Sequence, residues 1–75
     1  SSFEVARVLI RGAYGYGYLP ERVASEDLHH GLLRRMGPPF GEHLAVFSSH
    51  RTFLRAHGDV VRQLAALVST IARSP

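Results

Sequence analysis

The 75-residue chain contains no cysteine, no lysine and no asparagine. Without cysteine there can be no disulfide, no thiol nucleophile and no cysteine-ligated zinc. No apolar run approaches the roughly 20 residues that a membrane-spanning helix requires, so we expect no membrane partner. The chain also lacks an initial methionine, which indicates either a domain of a larger protein or a processed chain.

The basic residues of the chain are therefore all arginine. Nine arginines stand against six acidic residues, for a net charge of +3. A guanidinium is a planar donor that suits phosphate and also stacks on rings. This composition favours an anionic partner, although solvated arginines and ordinary surface ion pairs would account for the same residues.

The spacing of the apolar residues predicts a single small helical domain over residues 1–75. Prolines, glycines and serines divide it into four or five helices. We expect a mainly α, compact, winged-helix-like or helix-turn-helix domain with at most a minimal β element. The expected helices lie at about 2–12, in a short turn at 20–24, at 25–36, over one or two turns at 41–46, at about 50–57 and at 59–72.

Tyrosines alternate with glycines in the stretch Gly12–Tyr18, GAYGYGY. An extended backbone would place the three rings on one side. Such rings stack on unpaired bases, and Arg7, Arg11 and Arg22 lie close enough in the sequence to contact the phosphates. The alternative is that the rings cover a small core while the glycines allow the chain to turn.

The five histidines do not predict a metal site. His43, His50 and His57 are seven residues apart, which on a helix means about 10.5 Å along the axis. Nitrogen ligands lie only about 2.0–2.1 Å from a zinc ion, so these three histidines cannot share one. We expect no metal and no other cofactor.

No catalytic motif is present either. Ser48, Ser49, His50 and Asp59 include the residue types of a hydrolytic centre, but they match no known arrangement. The two serines and Asp59 are better explained as residues that cap helices. We therefore expect that the chain is not an enzyme.

The C-terminal third predicts two surfaces. Arg51 and Arg55 are four residues apart and share an exposed helical face that could follow a phosphate backbone. The last helix carries more apolar residues than one buried stripe requires, and part of the excess would fit another protein. Burial of that helix within the domain is the alternative.

A short pattern of glycine, serine and apolar residues runs through residues 37–61. Its members are Gly37 to Phe40, Leu44, Phe47, Ser48, Ser49, Phe53, Leu54, Asp59, Val60 and Val61. This pattern resembles the C-terminal half of LOTUS domains, also called OST-type helix-turn-helix domains. The resemblance implies a small winged-helix module in an RNA-regulating protein, with RNA, a second copy or a DEAD-box helicase as the partner. After Val61 the sequence predicts a helix where the family usually has a strand, and the N-terminal half matches no part of the family pattern.

Together these observations predict a non-catalytic RNA-binding or adaptor module in RNA metabolism, for which an intracellular location is favoured. The alternative is a protein-interaction or dimerisation domain that uses the C-terminal helix. The residues predicted to contact nucleic acid are Arg7, Arg11, Tyr14, Tyr16, Arg51 and Arg55. The residues predicted to form a protein interface are Val61, Leu64, Val68 and Ile71.

Overall fold

A computed structural model describes residues 2–73, except for the side chains of Ala13 and Tyr14. Its three strands, β1 (Tyr16–Pro20), β2 (Leu33–Arg35) and β3 (His43–Ser48), form an antiparallel sheet in the order β1-β3-β2. The domain is therefore α+β, and the prediction of a four- to five-helix domain with minimal β structure was wrong. The elements are α1 (Ser2–Leu9), a π-helical turn (Ile10–Tyr14), β1 (Tyr16–Pro20), α2 (Glu21–His29), β2 (Leu33–Arg35), β3 (His43–Ser48) and α3 (Arg51–Arg73).

The core lies on the face of the sheet that α1 and α2 cover. Leu19 of β1 pairs with Leu44 of β3, and both side chains are fully buried. Because side chains alternate along a strand, Val46 lies on the same face, and it too is buried. Burying each of these side chains contributes about 1.5–3 kcal/mol. The other buried members of this cluster are Ile10, Ala24 and Leu33.

Helix α2 ends earlier than the sequence predicted. Gly31 has a φ of 75°, and this left-handed conformation stops the helix. The amide of Leu32 donates to the Asp27 carbonyl at 2.8 Å, and the amide of Gly31 donates to the Leu28 carbonyl at 3.2 Å. The predicted helix at 25–36 is therefore wrong beyond His29. Gly31 stops the helix six residues before Gly37, where the sequence pattern places its end.

Strand β3 was also predicted incorrectly, as a helical segment over 41–46. Leu44, Ala45 and Val46 are all buried. A strand covered on both faces has a continuous apolar sequence, which periodicity cannot distinguish from a short buried helix. Pairing decides the matter, since β3 hydrogen-bonds to β1 on one side and to β2 on the other.

The α3 span contains the two helices expected at about 50–57 and 59–72, and they meet at a kink at His57. His57 has non-helical backbone angles, φ −131° and ψ 19°, yet helical structure resumes directly after it. Gly58 does not adopt a left-handed conformation, so it does not stop the helix. Asp59 to Val61 are helical.

Two glycines with positive φ bring α3 close to the rest of the domain. Gly15, with φ 86°, leaves no room for a Cβ beside the ring of Phe53. A Cβ on Gly37, with φ 87°, would lie 2.9 Å from Cγ1 of Val68. Because both glycines are required for conformation and for space, they position the two ends of α3.

Candidate nucleic-acid interface

The first turns of α3 present two exposed arginines, Arg51 and Arg55. Within the described part of the chain, neither guanidinium has a hydrogen-bond or ion-pair partner. Residues four apart are neighbours on a helix surface, so the two charges lie side by side. Both side chains are therefore available to a ligand.

Side chains at the start of α3 hold this segment in place. The Ser48 hydroxyl accepts a hydrogen bond from the His50 amide at 3.0 Å and donates one to the Arg11 carbonyl at 3.1 Å. Nδ1 of His50 accepts a hydrogen bond from the Thr52 amide at 3.2 Å. These contacts cap the helix and tie it to the π-helical turn. The N-cap of this helix is therefore His50, and the prediction of Ser48 or Ser49 at that position was wrong.

A depression of about 470 Å³ lies between the π-helical turn and the start of α3. The described residues that line it include one guanidinium, two imidazoles and one hydroxyl, and none of them is acidic. We call it the basic depression. Its lining residues are Arg11, Gly12, His50, Thr52, Phe53, Ala56 and His57.

Aromatic rings continue from the basic depression onto the sheet. The ring of Phe53 lies 5.4 Å from that of His57 and 6.4 Å from that of Tyr16, measured between centroids. Tyr16 begins β1 and is 45% exposed. Tyr16, one of the rings predicted for base stacking, is therefore exposed beside Phe53 of the basic depression. The side chain of Tyr14 lies outside the described residues.

Arg7 and Arg11, also predicted to contact nucleic acid, converge on a buried carboxylate. Asp27 has a side chain only 5% exposed; it accepts from Nη1 of Arg7 at 2.9 Å and from Nη1 of Arg11 at 3.3 Å. The hydrogen bond to Asp27, followed by that to Glu4, raises the pKa of the Arg7 guanidinium. Arg7 is thus paired with two carboxylates of the domain itself. The side chain of Arg11 is 37% exposed, and it also lines the basic depression.

Sequence reasoning missed Asp27 as the partner of these arginines. Its partners are 16 and 20 residues away in the chain, so no local pattern identifies them. The structure describes no buried side-chain nitrogen or oxygen without a hydrogen-bond partner, which is consistent with Asp27 being fully satisfied.

The residues predicted for a protein interface are divided by the fold. Val61 is buried at 7% exposure, Leu64 and Val68 are half-buried, and Ile71 is 59% exposed. Leu67, at 57%, is a further exposed residue on this helix that the predicted set omitted. We call Val60, Leu64, Leu67 and Ile71, which are spaced by four, three and four residues, the apolar ridge of α3.

A second aromatic cluster lies where β1 and β3 pair. The ring of His43 stacks on that of Tyr18 at 5.4 Å, with an angle of 10° between the planes. Phe40 lies 5.7 Å from Tyr18, and Phe3 lies 6.2 Å from His43. Partial burial raises the pKa of the Tyr18 phenol. These contacts match the interpretation in which a tyrosine of the glycine-rich stretch packs against its own domain.

A second depression, of about 530 Å³, lies at the junction of β1 and α2. Two of its five lining residues are glutamates, Glu21 and Glu42, and one is Arg22. Glu21 also pairs with Arg35 at 3.3 Å. We call this site the acidic depression, and its other lining residues are Pro20 and Gly41.

The remaining findings concern metals, membranes and known proteins. In residues 2–73 no group of three or more histidine, cysteine or acidic side chains is arranged to hold a metal ion. No described helix has the length and apolar character needed to cross a membrane. No protein-family model, curated protein or solved structure matches the chain. The resemblance to LOTUS domains therefore stays a prediction.

Proposed function

We propose that this protein is a non-catalytic RNA-binding module whose binding surface is centred on the first turns of α3. Arg51 and Arg55 contact phosphates, and Tyr16 stacks on an unpaired base. Arg11 adds a third positive charge from the edge of the basic depression. The observation that carries the proposal is that the exposed guanidiniums of Arg51 and Arg55 have no hydrogen-bond or ion-pair partner among the described residues.

Charge and ring placement favour single-stranded RNA over a purely electrostatic ligand. Phosphate contacts supply affinity that does not depend on base sequence. Stacking on an aromatic side chain adds about 1–3 kcal/mol per base and requires that the base be unpaired. Tyr16, which is exposed next to Phe53, offers an aromatic ring for such stacking.

The proposal is tested by fluorescence anisotropy with a labelled single-stranded RNA at about 50 and 200 mM salt. We expect affinity to fall steeply with salt. The double variant R51Q/R55Q should reduce the slope of log K against log salt by about 1.4, or about 0.7 for each lost phosphate contact. Absence of binding at the lower salt concentration would exclude an RNA-binding function.

The matched control is R22Q/R34Q, which removes the same charge from two exposed arginines outside the basic depression. Neither Arg22 nor Arg34 has an ion-pair partner among the described residues. We expect this control to retain the wild-type slope. An equal loss in both double variants would mean that net charge, and not the first turns of α3, attracts the RNA.

A second candidate function is self-association through the apolar ridge of α3. Leu67 and Ile71 are more than half exposed, and no charged residue occurs between Gln63 and Ala72. The four-three-four spacing is that of two helices packed along a seam, and the absence of charge removes electrostatic repulsion between identical ridges. An uncharged apolar ridge suits a second copy of the chain better than it suits RNA.

Sedimentation velocity across a wide concentration range tests self-association. We expect the mass to rise with concentration in the wild type and to stay monomeric in Leu67→Glu, because a buried unpaired carboxylate opposes association. The control is Val5→Glu, which places the same charge at a 60% exposed apolar position on α1. A wild type that stays monomeric throughout would exclude this function.

A further inference from the structure

The basic depression has the dimensions of a small-molecule site. Its volume of about 470 Å³ lies toward the small end of the range for ligand pockets, about 300–1,000 Å³. It therefore has room for one nucleotide unit and not for several. A basic surface patch that only tracked a phosphate backbone would not need such a recess.

Hydrogen-bond donors of the kind that bind phosphate line this recess. Nδ1 of His50 accepts the Thr52 amide, so a neutral His50 carries its proton on Nε2 and keeps a free donor there. Arg11 uses Nη1 for Asp27, which leaves the rest of its guanidinium fork for a second anion. The carboxylate of Asp27 thus holds Arg11 through Nη1 alone.

The aromatic member of the recess is Phe53, whose ring lies between those of His57 and Tyr16. A ring in this position offers a flat apolar surface beside the phosphate donors. The combination of a ring and several donors within one recess matches the two parts of a nucleotide, its base and its phosphate. The acidic depression, lined by two glutamates and no aromatic side chain, has neither feature.

We propose that the basic depression binds a single nucleotide, with the phosphate on Arg11 and His57 and the base against Phe53. The inference rests on the proposed RNA-binding function, and it adds that the basic depression recognises one nucleotide at a time. The nucleotide is either one unit of an RNA chain or a free mononucleotide. His50 and Thr52 supply further donors to the same phosphate.

The test is a titration of the ¹⁵N-labelled protein followed by amide chemical shifts, with three separate probes: AMP, adenosine and inorganic phosphate. We expect AMP to shift the amides of Gly12, Thr52 and His57 in a saturable manner. Adenosine and phosphate should each bind at least about fivefold more weakly, since each lacks one of the two interactions. Failure of AMP to shift these amides would overturn the proposal.

Two variants test the location without disturbing the core. An ideal Cβ at Gly12 meets no heavy atom within 4 Å, so Gly12→Leu displaces no neighbour. Because Gly12 lines the recess, the larger side chain should narrow it and weaken AMP binding. His57→Ala removes one donor to phosphate and should weaken AMP binding about tenfold. The matched control is His30→Ala, at an exposed histidine at the end of α2, which should leave AMP binding unchanged.

An RNA titration followed by the same amides separates this proposal from the RNA-binding function. RNA that shifts Gly12, Thr52 and His57 supports both. RNA that binds in the anisotropy assay but shifts only other amides overturns the nucleotide site and leaves RNA binding intact. AMP binding at these amides without RNA binding supports the site, with a free mononucleotide as its ligand, and excludes the RNA-binding function.

Discussion

The two depressions of this small domain are similar in volume but opposite in chemical character. The basic depression, of about 470 Å³, is lined by one arginine, two histidines and an aromatic ring. The acidic depression, of about 530 Å³, is lined by two glutamates and one arginine. Size therefore does not distinguish a binding site here. The distribution of nine arginines and six acids over the surface does, because it leaves one recess free of carboxylates.

The same comparison holds for the arginines themselves. Arg35 of β2 pairs with Glu21 beside the acidic depression, and Arg62 pairs with Asp59 farther along α3. Arg51 and Arg55 have no such partner among the described residues. An exposed ion pair contributes only about 0–1 kcal/mol to stability, yet it decides which guanidiniums remain available to an external anion.

The largest effect on stability is expected from Gly15→Ala, at the glycine that packs against Phe53 of the basic depression. The added Cβ would occupy the space of the Phe53 ring, and an L-residue at φ 86° is strained. We expect a loss of about 2–4 kcal/mol in the free energy of unfolding, measured by urea denaturation. Gly31→Ala is the control, since its φ of 75° imposes similar strain with no neighbour within 4 Å. Equal losses of stability in both variants would show that the Phe53 ring moves aside without a further cost in free energy.

An intermediate effect is expected from Asp27→Asn, which removes the buried charge that holds Arg7 and Arg11. We expect about 1–2 kcal/mol less stability in urea denaturation, because the two guanidiniums lose the negative charge of their shared acceptor and keep only a neutral amide oxygen. Glu4→Gln is the control, and its more exposed carboxylate should contribute less than about 0.5 kcal/mol. A stability unchanged by Asp27→Asn would mean that this ion-pair cluster contributes little to the fold.

The smallest effect is expected from Glu42→Gln in the acidic depression. The backbone carbonyl of Glu42 accepts the Glu21 amide at 2.7 Å, and the substitution leaves that bond intact. RNA affinity should change by less than about twofold, because salt screens exposed charges beyond about 10 Å at 0.1 M. A large gain in affinity, measured by anisotropy, would place the RNA path across the acidic depression and remove the distinction between the two recesses.

The fold was predictable from the sequence only in part. The helical character of the N-terminal segment and of residues 59–72 followed from apolar spacing, and both segments are helical. The strands at Leu33–Arg35 and His43–Ser48 were not predicted. Leu33–Arg35 has only three residues, of which one is buried, and the short buried apolar run within His43–Ser48 has no period of its own. The sequence contains two stop signals for α2, Gly31 and the later Gly37-Pro38-Pro39, and its pattern alone favours the later one.

The candidate site was predictable to a similar extent. Arg51, Arg55 and Tyr16 follow from residue type and spacing, and all three are exposed. The basic depression, and the role of Gly12, His50 and His57 in lining it, were not predictable. These residues come from two segments that are distant in the sequence, and only the packing of α3 on the π-helical turn brings them together.

The sequence by itself determined the local properties of this protein: an arginine-only basic composition, the absence of thiols, and glycines where a left-handed backbone was needed. The tertiary structure alone decided which apolar runs became strands and which arginines stayed unpaired. The reason is physical. Propensity and capping act within a few residues, whereas a strand needs a partner strand and a charge is neutralised by whichever carboxylate the fold brings to it, as Asp27 is brought to Arg7 and Arg11.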